Sequence, residues 1–289
     1  DGAPARASNG MRIDADASIR SRRAAQVVFV PGFGYAGVRA VPAIVSALER
    51  ARPLARWLRA RHEGGAEIVA ACTGVFLLAE SGLLAGGAAT TTWWLGDLFR
   101  ARYPAVDLDL DAMLVRRGRV VCAGAAMSYL DLLLHVIESH AGADLARRVA
   151  RALVLDNRRP SQAPYRVPAH VRAEDPLVDG AARWMEAHLA EDFRVEDLAK
   201  ALGASSRTLL RRFRAALATT PLAHLQIRRV ERAKALLETT SLGVDEIGAR
   251  VGYEDPSAFG RLFKRATSMS PGAYRKRFGV TAKDWIRSR

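Results

Sequence analysis

The chain has 289 residues, a length at which single hydrophobic cores stop growing and two domains are the usual arrangement. Its composition, 49% hydrophobic and 26% charged residues, is ordinary for a soluble globular protein and excludes a largely disordered chain. No apolar run approaches the roughly 18 residues that a membrane helix needs, so we expect no membrane partner. Two cysteines form no disulfide framework, and DGAPARASNG is no apolar leader, so a cytoplasmic location is expected.

The net charge of +14 and the pI near 10.7 favour a polyanionic partner, with nucleic acid ahead of an anionic membrane. From Leu177 to the end of the chain there are 21 Lys and Arg against 13 Asp and Glu, a net charge of +8. The longer first part therefore carries +6. The C-terminal part is the more basic per residue, which points to it as the nucleic-acid-binding part.

In the first half of the chain, short β-rich runs alternate with apolar residues at helical spacing. The predicted strands are residues 26–30, 68–71 and 120–123. The predicted helices are residues 41–62, 74–84, 127–140 and 144–155. This alternation predicts an α/β domain with a largely parallel, flavodoxin-like sheet covered on both faces.

A proline-rich segment follows, NRRPSQAPYRVPAHVRAEDP, residues 157–176. Its four prolines cannot sit inside a helix and predict an irregular linker. We therefore place a first domain at residues 1–156 and a second domain at residues 177–289. The second domain shows no convincing strand and is predicted to be all-helical.

The helical half repeats itself at an offset of about 50 residues. The two copies are RVEDLAKALGASSRTLLRRFRAALATTPLAHL and GVDEIGARVGYEDPSAFGRLFKRATSMSPGAY. In each copy a short amphipathic helix ends at a glycine, Gly203 or Gly252, and a capping residue, Ser205 or Asp255, begins the next helix. A short helix, a glycine turn and a second helix with a basic outer face are typical of a helix-turn-helix motif, whose second helix fits the major groove.

The alternative interpretation is a helical repeat that binds protein, with arginines that are merely solvated. Two copies in register, with Arg211 and Arg261 at equivalent exposed positions, favour DNA binding. Joined by a helix over residues 221–238, the two copies would enter successive major grooves about 34 Å apart.

Residues 177–278, above all IGARVGYEDPSAFGRLFKRATSMSPGAYRKRF, resemble the DNA-binding domain of the AraC/XylS family. The resemblance implies seven helices with two recognition helices. By motif position it implies base contacts from Arg207, Leu210 and Arg211 in the first recognition helix and from Ser257, Ala258 and Arg261 in the second. Arginine suits guanine, whereas Leu210 and Ala258 meet only apolar features such as a thymine methyl. The neighbouring basic residues are expected at phosphates or in solvent: Arg212, Arg214, Lys264 and Arg265.

The first half, roughly residues 10–155, resembles the PfpI-type branch of the class I glutamine-amidotransferase-like superfamily. The carrying motifs are VVFVPGFG (27–34), IVAACTGVFLLAESGLLAG (68–86), ATTTWW (89–94) and VVCAGAAMSYLDLLLHVIE (120–138). Fusion to an AraC-type domain is similar to GlxA-like transcriptional regulators. The resemblance implies that Cys72 sits on a strand-to-helix elbow, close to the amides of Thr73 and of Gly32 to Gly34. It also implies an earlier strand, helix and acidic residue, so the first strand of the fold is expected to be missing.

In the superfamily's enzymes a histidine stands at the position of Thr92. A threonine hydroxyl cannot take the proton of a thiol, and none of the six histidines stands in the family's order near the elbow. Asp131 and His135 share a helix face, but no third ligand is spaced to complete a metal site. We therefore predict no enzyme activity, no catalytic residue, no metal and no cofactor.

Cys72 is interpreted as a pocket-lining residue of a ligand sensor, with a redox-sensitive thiol and an inert buried cysteine as alternatives. Cys122 is interpreted as a core residue, because it sits in an apolar strand. Trp93 could wall the pocket, although aromatic residues after a strand are more often packing. The ligand-pocket candidates are Gly32, Gly34, Cys72, Thr73, Thr92 and Trp93.

The sequence therefore predicts a sequence-specific transcriptional regulator, for which the family resemblance favours an activator. Its expected partners are double-stranded promoter DNA, a small-molecule effector, a second copy of the chain in a homodimer, and RNA polymerase. Two alternatives stay open. The chain could be an active cysteine hydrolase or amidase that carries a DNA-binding domain, or a nucleoid-type protein that binds all sequences with a steep salt dependence.

Overall fold

The computed structural model describes residues 4–7, 10–21, 24–33, 41–156, 159–166, 175–217 and 219–279. The chain divides into two compact units, Asp1–Ala163 and Pro164–Arg289. This division falls within the proline-rich segment 157–176, where the described residues include a single 3-10 turn at Ala163–Tyr165. In the parts of the chain that the structure describes, no helix is both long and apolar enough to span a bilayer.

The first unit is an α/β domain. Its strands are β1 (Ala5–Arg6), β2 (Arg12–Ile13), β3 (Val27–Val30), β4 (Glu67–Ala71), β5 (Ala88–Ala89), β6 (Asp107–Leu108), β7 (Leu114–Arg117) and β8 (Val120–Ala123). Its helices are α1 (Val41–Arg50), α2 (Arg52–Glu63), α3 (Gly74–Glu80), α4 (Gly96–Arg102), α5 (Ser128–Ala141) and α6 (Ala143–Ala152).

The main sheet has the strand order β3-β4-β8-β7. The pairs β3–β4 and β4–β8 are parallel, and β7 joins β8 as an antiparallel hairpin. Every residue of β4 and β8 is buried, as strands covered on both faces require. The fold class predicted from the alternation of strands and helices is confirmed, and the antiparallel edge strand makes the sheet mixed.

The two faces of the sheet belong to two apolar clusters. Ile68 and Val120 pack into the larger cluster with residues of α1 to α4. Val69 and Val121 pack on the other face, against Leu132 of α5. Side chains alternate between faces along each strand, so β4 and β8 contribute to both clusters at once.

One predicted helix is divided in the structure. The apolar spacing over residues 41–62 predicted a single helix, but α1 ends at Arg50 and α2 begins at Arg52. Pro53 stands at the start of α2, where a missing N–H is harmless. Inside a continuous helix the same proline would remove a hydrogen bond and clash with the preceding turn, so the helix breaks before it.

The second unit is helical, as predicted. The described residues contain α7 (Pro176–Ala187), α8 (Val195–Ala201), α9 (Ser206–Leu217), α10 (Pro221–Thr239), α11 (Val244–Arg250), α12 (Pro256–Thr267) and α13 (Pro271–Phe278). Four of these helices start with proline after a capping side chain that accepts backbone N–H bonds; the caps are Asp175, Thr220, Asp255 and Ser270. An acceptor at the cap and a proline at the first helical position both suit the unpaired N–H groups of a helix start.

Each copy of the repeat has its own core, and α10 joins them. Leu198, Leu209 and Phe213 form the centre of the first core, to which α10 adds Leu225. Ile247, Phe259 and Phe263 form the centre of the second, to which α10 adds residues of its C-terminal half. The equivalent apolar positions of the two sequences are therefore buried in equivalent places.

Candidate nucleic-acid interface and cysteine elbow

The helix α9 turns one face into its core and the other to solvent. Leu209 and Phe213 are fully buried, whereas Arg207 and Arg211 are exposed. Leu210 is half-buried at the edge of the exposed face. The predicted base-contacting residues of the first copy therefore lie on the accessible side of a helix that its core holds in place.

The helix α12 repeats this arrangement. Phe259 and Phe263 are buried, Ser257 and Arg261 are exposed, and Ala258 is half-buried. Arg261 Nη2 lies 3.6 Å from Asp255 Oδ2, with side chains 72% and 58% exposed. An ion pair this long and this exposed contributes little, so it leaves the guanidinium available to a ligand.

The predicted phosphate contacts are in two different environments. Arg214, Lys264 and Arg265 are exposed at the C-terminal ends of α9 and α12. Arg212, in contrast, makes a 3.0 Å ion pair from Nη1 to Oδ2 of Asp175, the cap of α7. Sequence reasoning missed this partner, which lies far from Arg212 along the chain.

The turn glycines have the backbone conformation that the motif requires. Gly203 has φ 64° and Gly252 has φ 83°, in the left-handed region that glycine enters without steric cost. Ser205 Oγ then accepts the N–H of Thr208 at 3.2 Å. Asp255 accepts the N–H groups of Ser257 at 2.8 Å and of Ala258, so both predicted caps are formed.

The elbow of the first unit lies between β4 and α3. Cys72 has φ 57°, an unfavourable conformation for a residue with a side chain, which costs about 1–2 kcal/mol. Its N–H is held by the carbonyl groups of Ala123 (3.2 Å) and Gly124 (2.9 Å) at the end of β8. A Cβ at Gly74 would lie 2.7 Å from the carbonyl oxygens of Val30 and Pro31, so α3 can start this close to β3 only with glycine.

Most of the predicted pocket residues come together around the elbow. A Cβ at Gly32 would lie 3.6 Å from Cys72 Sγ, so this glycine covers the thiol. Thr73 Oγ1 donates to the carbonyl of Phe33 and accepts its N–H, both at 2.7 Å, which holds the Gly32–Phe33 loop on the elbow. Gly34 lies outside the described residues.

The threonine segment completes the elbow. Thr91 Oγ1 donates to the carbonyl of Cys72 at 2.8 Å. Thr92 is fully buried and its hydroxyl stands toward the thiol, although no well-formed hydrogen bond to it exists among the described residues. Trp93 is half-buried and packs edge to face on Trp94, with ring centroids 5.0 Å apart.

The electrostatic environment of the elbow keeps the thiol protonated. Cys72 is 7% exposed, and burial raises its pKa above the ordinary value. The nearby polar groups of Thr73 and Thr92 lower the pKa, but less than burial raises it. Burial also raises the pKa of Cys122, in the middle of β8, to about 12. Among the described residues, no charged group contributes to the pKa of either thiol, whereas a reactive thiolate depends on such positive neighbours.

Gln162 was missed by sequence reasoning, and it ties the end of the first unit to the elbow segment. Its side chain is 2% exposed, and Nε2 donates to Thr90 Oγ1 and to the carbonyl of Thr91, both at 3.0 Å. A Cβ at Gly124 would lie 2.5 Å from Gln162 Oε1, so the contact needs glycine there. Nothing in the proline-rich sequence around Gln162 indicates that this side chain is buried.

A cavity of about 510 Å³ lies beside α5, on the sheet face opposite α3. Its lining combines apolar residues such as Leu134 with charged groups. Arg159 Nε donates to Asp131 Oδ2 at 3.1 Å at its edge, and Arg147 lines it from α6. The Asp131 carboxylate, which the sequence paired with His135, is thus held by an arginine. Among the described residues, no cluster of potential metal ligands occurs.

Comparison with known proteins gives matches over both units. A family model described as a helix-turn-helix domain matches residues 198–277. The HTH-type transcriptional regulator CdhR of Pseudomonas aeruginosa is 32% identical over 275 residues, which cover 94% of this chain and 78% of that protein. The HTH-type transcriptional regulator GlxA of Rhizobium meliloti is 29% identical over 224 residues, 77% of this chain and 69% of that protein. The DNA-binding domain of AdpA, solved with a target DNA, is 42% identical and covers 36% of this chain and 92% of that chain, with a TM-score of 0.34.

A helical unit with two exposed recognition helices, joined to an α/β unit with an elbow, defines a class of DNA-binding regulator. The chain belongs to the helix-turn-helix-type transcriptional regulators, with an AraC-type DNA-binding domain in its second unit. The resemblance to GlxA-like regulators is confirmed.

Proposed function

We propose that this regulator recognises one specific promoter sequence by placing α9 and α12 in successive major grooves of double-stranded DNA. The observation that carries the proposal is the exposure of Arg211 and Arg261 at equivalent positions of two helices whose opposite faces are buried. An arginine at this position of a recognition helix can form the bidentate contact with guanine.

The test is selection of genomic DNA fragments by the full-length protein at near-physiological salt. The expected result is a site with two half-motifs separated by about one helical turn, roughly 10–10.5 base pairs. Uniform recovery of fragments, with affinity that falls steeply with salt, would contradict the proposal and favour a nucleoid-type protein.

The elbow is a non-catalytic remnant of an enzyme site. The buried, protonated state of Cys72 and the threonine hydroxyl beside it support this interpretation. A screen of ester and amide substrates tests it, with the Cys72→Ala variant as the matched control. We expect no turnover that depends on Cys72. Turnover that is lost in the variant would support the competing cysteine hydrolase.

The first unit senses a small-molecule effector at the elbow, and Gln162 passes the change toward the second unit. Support comes from a continuous chain of contacts. The Thr91 hydroxyl donates a hydrogen bond to the carbonyl of Cys72, and the Gln162 side chain donates one to the carbonyl of Thr91. Gln162 stands one residue before Ala163, where the first unit ends. An effector acts only through different affinities for the two states of such a network.

A thermal-shift screen of metabolites on the full chain locates the effector site. The expected compound raises the melting temperature of the wild type but not of Thr92→Val, which removes the hydroxyl beside the thiol at nearly constant volume. Arg147→Ala, at the cavity beside α5, serves as the comparison variant. A compound that loses its effect in Arg147→Ala and keeps it in Thr92→Val would place the site in that cavity and contradict the elbow proposal.

The protein acts in the cytoplasm as a homodimer that activates transcription together with RNA polymerase. Support is general: symmetric dimers are the usual state of soluble oligomers, and a dimer would read two copies of the paired half-motif. Sedimentation equilibrium checks the dimer. A monomer at micromolar concentration, in the presence of operator DNA, would contradict it.

A further inference from the structure

Arg229 is a buried arginine in the middle of α10, the helix that joins the two copies of the repeat. Leu225, Arg229, Ala233 and Leu237 follow one another at intervals of four residues on one face of α10, and all are buried. Arg229 interrupts this apolar stripe and is only 9% exposed. A buried guanidinium is tolerated when its N–H groups find acceptors, so its partners indicate what it does.

The partners of Arg229 lie at both ends of the helical unit, one set beside the first copy and one within the second. Nε donates to the carbonyl of Leu189 at 2.9 Å and Nη2 donates to that of Glu191 at 2.8 Å. Both carbonyl groups lie between α7 and α8, just before the first copy begins, and Leu189 packs in the core of that copy. Nη1 donates to the carbonyl of Gly252 at 3.2 Å, in the turn between α11 and α12 of the second copy. The guanidinium carbon also lies 5.3 Å from the ring centroid of Tyr253, within cation–π range.

Gly252 is shaped for this contact, and Gly203 offers an internal comparison. A Cβ at position 252 would lie 2.6 Å from Arg229 Nη2 and 3.0 Å from the carbonyl oxygen of Ala190. A Cβ at Gly203, the equivalent turn of the first copy, would meet no atom within 4 Å. Both glycines have positive φ, so the close approach of an arginine is the additional requirement at Gly252 alone.

We propose that Arg229 is a positioning residue that sets the distance and angle between α9 and α12, and so the half-motif spacing that the protein recognises. The planar guanidinium has N–H groups in fixed directions, and backbone carbonyl groups cannot rotate independently of their turns. One side chain therefore connects the turn before α8 to the turn before α12. The inference rests on the proposed reading of DNA by two helices.

The experiment measures affinity as a function of half-motif spacing. The selected site is synthesised with the original spacing and with one or two base pairs inserted or deleted between the half-motifs. The wild type is expected to lose roughly tenfold in affinity for each single-pair change, because each pair rotates one half-motif around the duplex. In Arg229→Met, which keeps the length of the side chain but none of its donors, this loss is expected to fall to about twofold.

Matched variants separate positioning from folding. Arg232→Met removes the same charge from an exposed site of α10 and is expected to keep the wild-type spacing profile. Gly252→Ala is expected to flatten the profile as Arg229→Met does, whereas Gly203→Ala keeps it. A role in stability alone would lower affinity at every spacing by the same factor.

An unchanged spacing profile in a folded Arg229→Met protein overturns the inference. Should that variant fail to fold, Arg229→Lys decides, since it keeps the charge and loses the planar fork. A flattened spacing profile in Arg229→Lys supports the positioning role of Arg229, and a wild-type spacing profile overturns it. Failure of the wild type to select any site would instead contradict the proposed function, so the two failures are distinguishable.

Discussion

The elbow of the first unit and the turns of the helix-turn-helix pair use the same backbone conformation in opposite ways. Gly203 and Gly252 take positive φ without a side chain, and each is followed by a helix whose basic face is exposed to solvent. Cys72 takes positive φ with a side chain, and that side chain goes inward beneath Gly32. The strain is retained at Cys72, although its thiol is buried and protonated.

A backbone conformation and the chemistry of the side chain that it places are therefore separable. A strained turn places a side chain at a defined point, but its neighbours decide what that side chain can do. At the elbow the neighbours are threonine hydroxyls and an apolar core. At α9 and α12 the neighbour is solvent, and the exposed arginines keep the charge that a nucleic acid needs.

The largest effect is expected from Gly74→Ala, because the elbow is tightly enclosed, whereas the turn at Gly203 is open. The added Cβ would lie 2.7 Å from two carbonyl oxygens of the β3 end, which costs about 3 kcal/mol or more. Gly203→Ala meets no neighbour and should cost only the conformational strain, about 1–2 kcal/mol. Hydrogen exchange followed by mass spectrometry, peptide by peptide, reports the stability of each unit separately. Equal losses in the two variants would contradict this ranking.

A second test addresses the exposed arginines. Arg261→Ala should cost about 1–3 kcal/mol at the selected site and relax the preference for one base, and Arg211→Ala should do so in the other half-motif. Arg214→Ala, at an exposed position nearer the end of α9, is the control. It should weaken all DNA by a similar factor and reduce the salt dependence. Fluorescence anisotropy on matched and mismatched duplexes distinguishes the two patterns, and a uniform loss in Arg261→Ala would reassign this residue to phosphate.

The caps of the two recognition helices should differ in a measurable way. Asp255 accepts two backbone N–H groups and carries a charge that favours a helix N-terminus, whereas Ser205 accepts one. We expect Asp255→Ala to lower the stability of the second unit by about 1–2 kcal/mol and Ser205→Ala by about 0.5–1 kcal/mol. Thermal unfolding of the two variants measures the difference. Asp255→Asn should retain most of the stability, and a loss as large as that of alanine would point away from capping.

Local patterns predicted much of both units. The β-rich runs located the three parallel strands, and the repeat located the two helix-turn-helix copies with their glycine turns and caps. These features depend on the conformational preferences of residues that are close together in the sequence, so the sequence predicts them directly. The hairpin strand β7 was missed because LVRR ends in two exposed arginines and shows no clear alternation. The break at Pro53 was missed because apolar periodicity continued through it.

Contacts between residues that are distant along the chain could not be predicted from the sequence. Arg212 and Asp175, or Gln162 and Thr91, meet only after the chain has folded. Arg229 had a local signal, a charge on an apolar stripe, but its carbonyl partners lie in two different turns. For the elbow, motif resemblance brought Cys72, Thr73 and Gly32 together. The direction of the pKa shift depends on burial, which only the packed structure shows.

The smallest effect concerns the protonation of the two thiols. Both thiols have a raised pKa in the folded protein, so they keep their protons above pH 9, where the thiols of the unfolded chain lose theirs. The free energy of unfolding therefore falls as the pH rises through this range. For Cys122, with a folded pKa of about 12, this amounts to about 1.4 kcal/mol by pH 10. For Cys72 the fall has the same sign and is expected to be smaller, because the nearby polar groups of Thr73 and Thr92 oppose the effect of burial on its pKa.

Urea midpoints at pH 7 and pH 10 for the wild type, Cys72→Ala and Cys122→Ala measure these two contributions. Each alanine variant loses some packing at both pH values. The quantity compared is therefore the change in the urea midpoint of each protein between pH 7 and pH 10. The pH-dependent loss should shrink more in Cys122→Ala than in Cys72→Ala. A reactive thiolate at the elbow would reverse the sign, since a lowered folded pKa makes stability rise between the folded and the ordinary value. Iodoacetamide would then alkylate Cys72 rapidly at pH 7. Such a result would contradict the conclusion that the elbow keeps its backbone conformation without a reactive thiol.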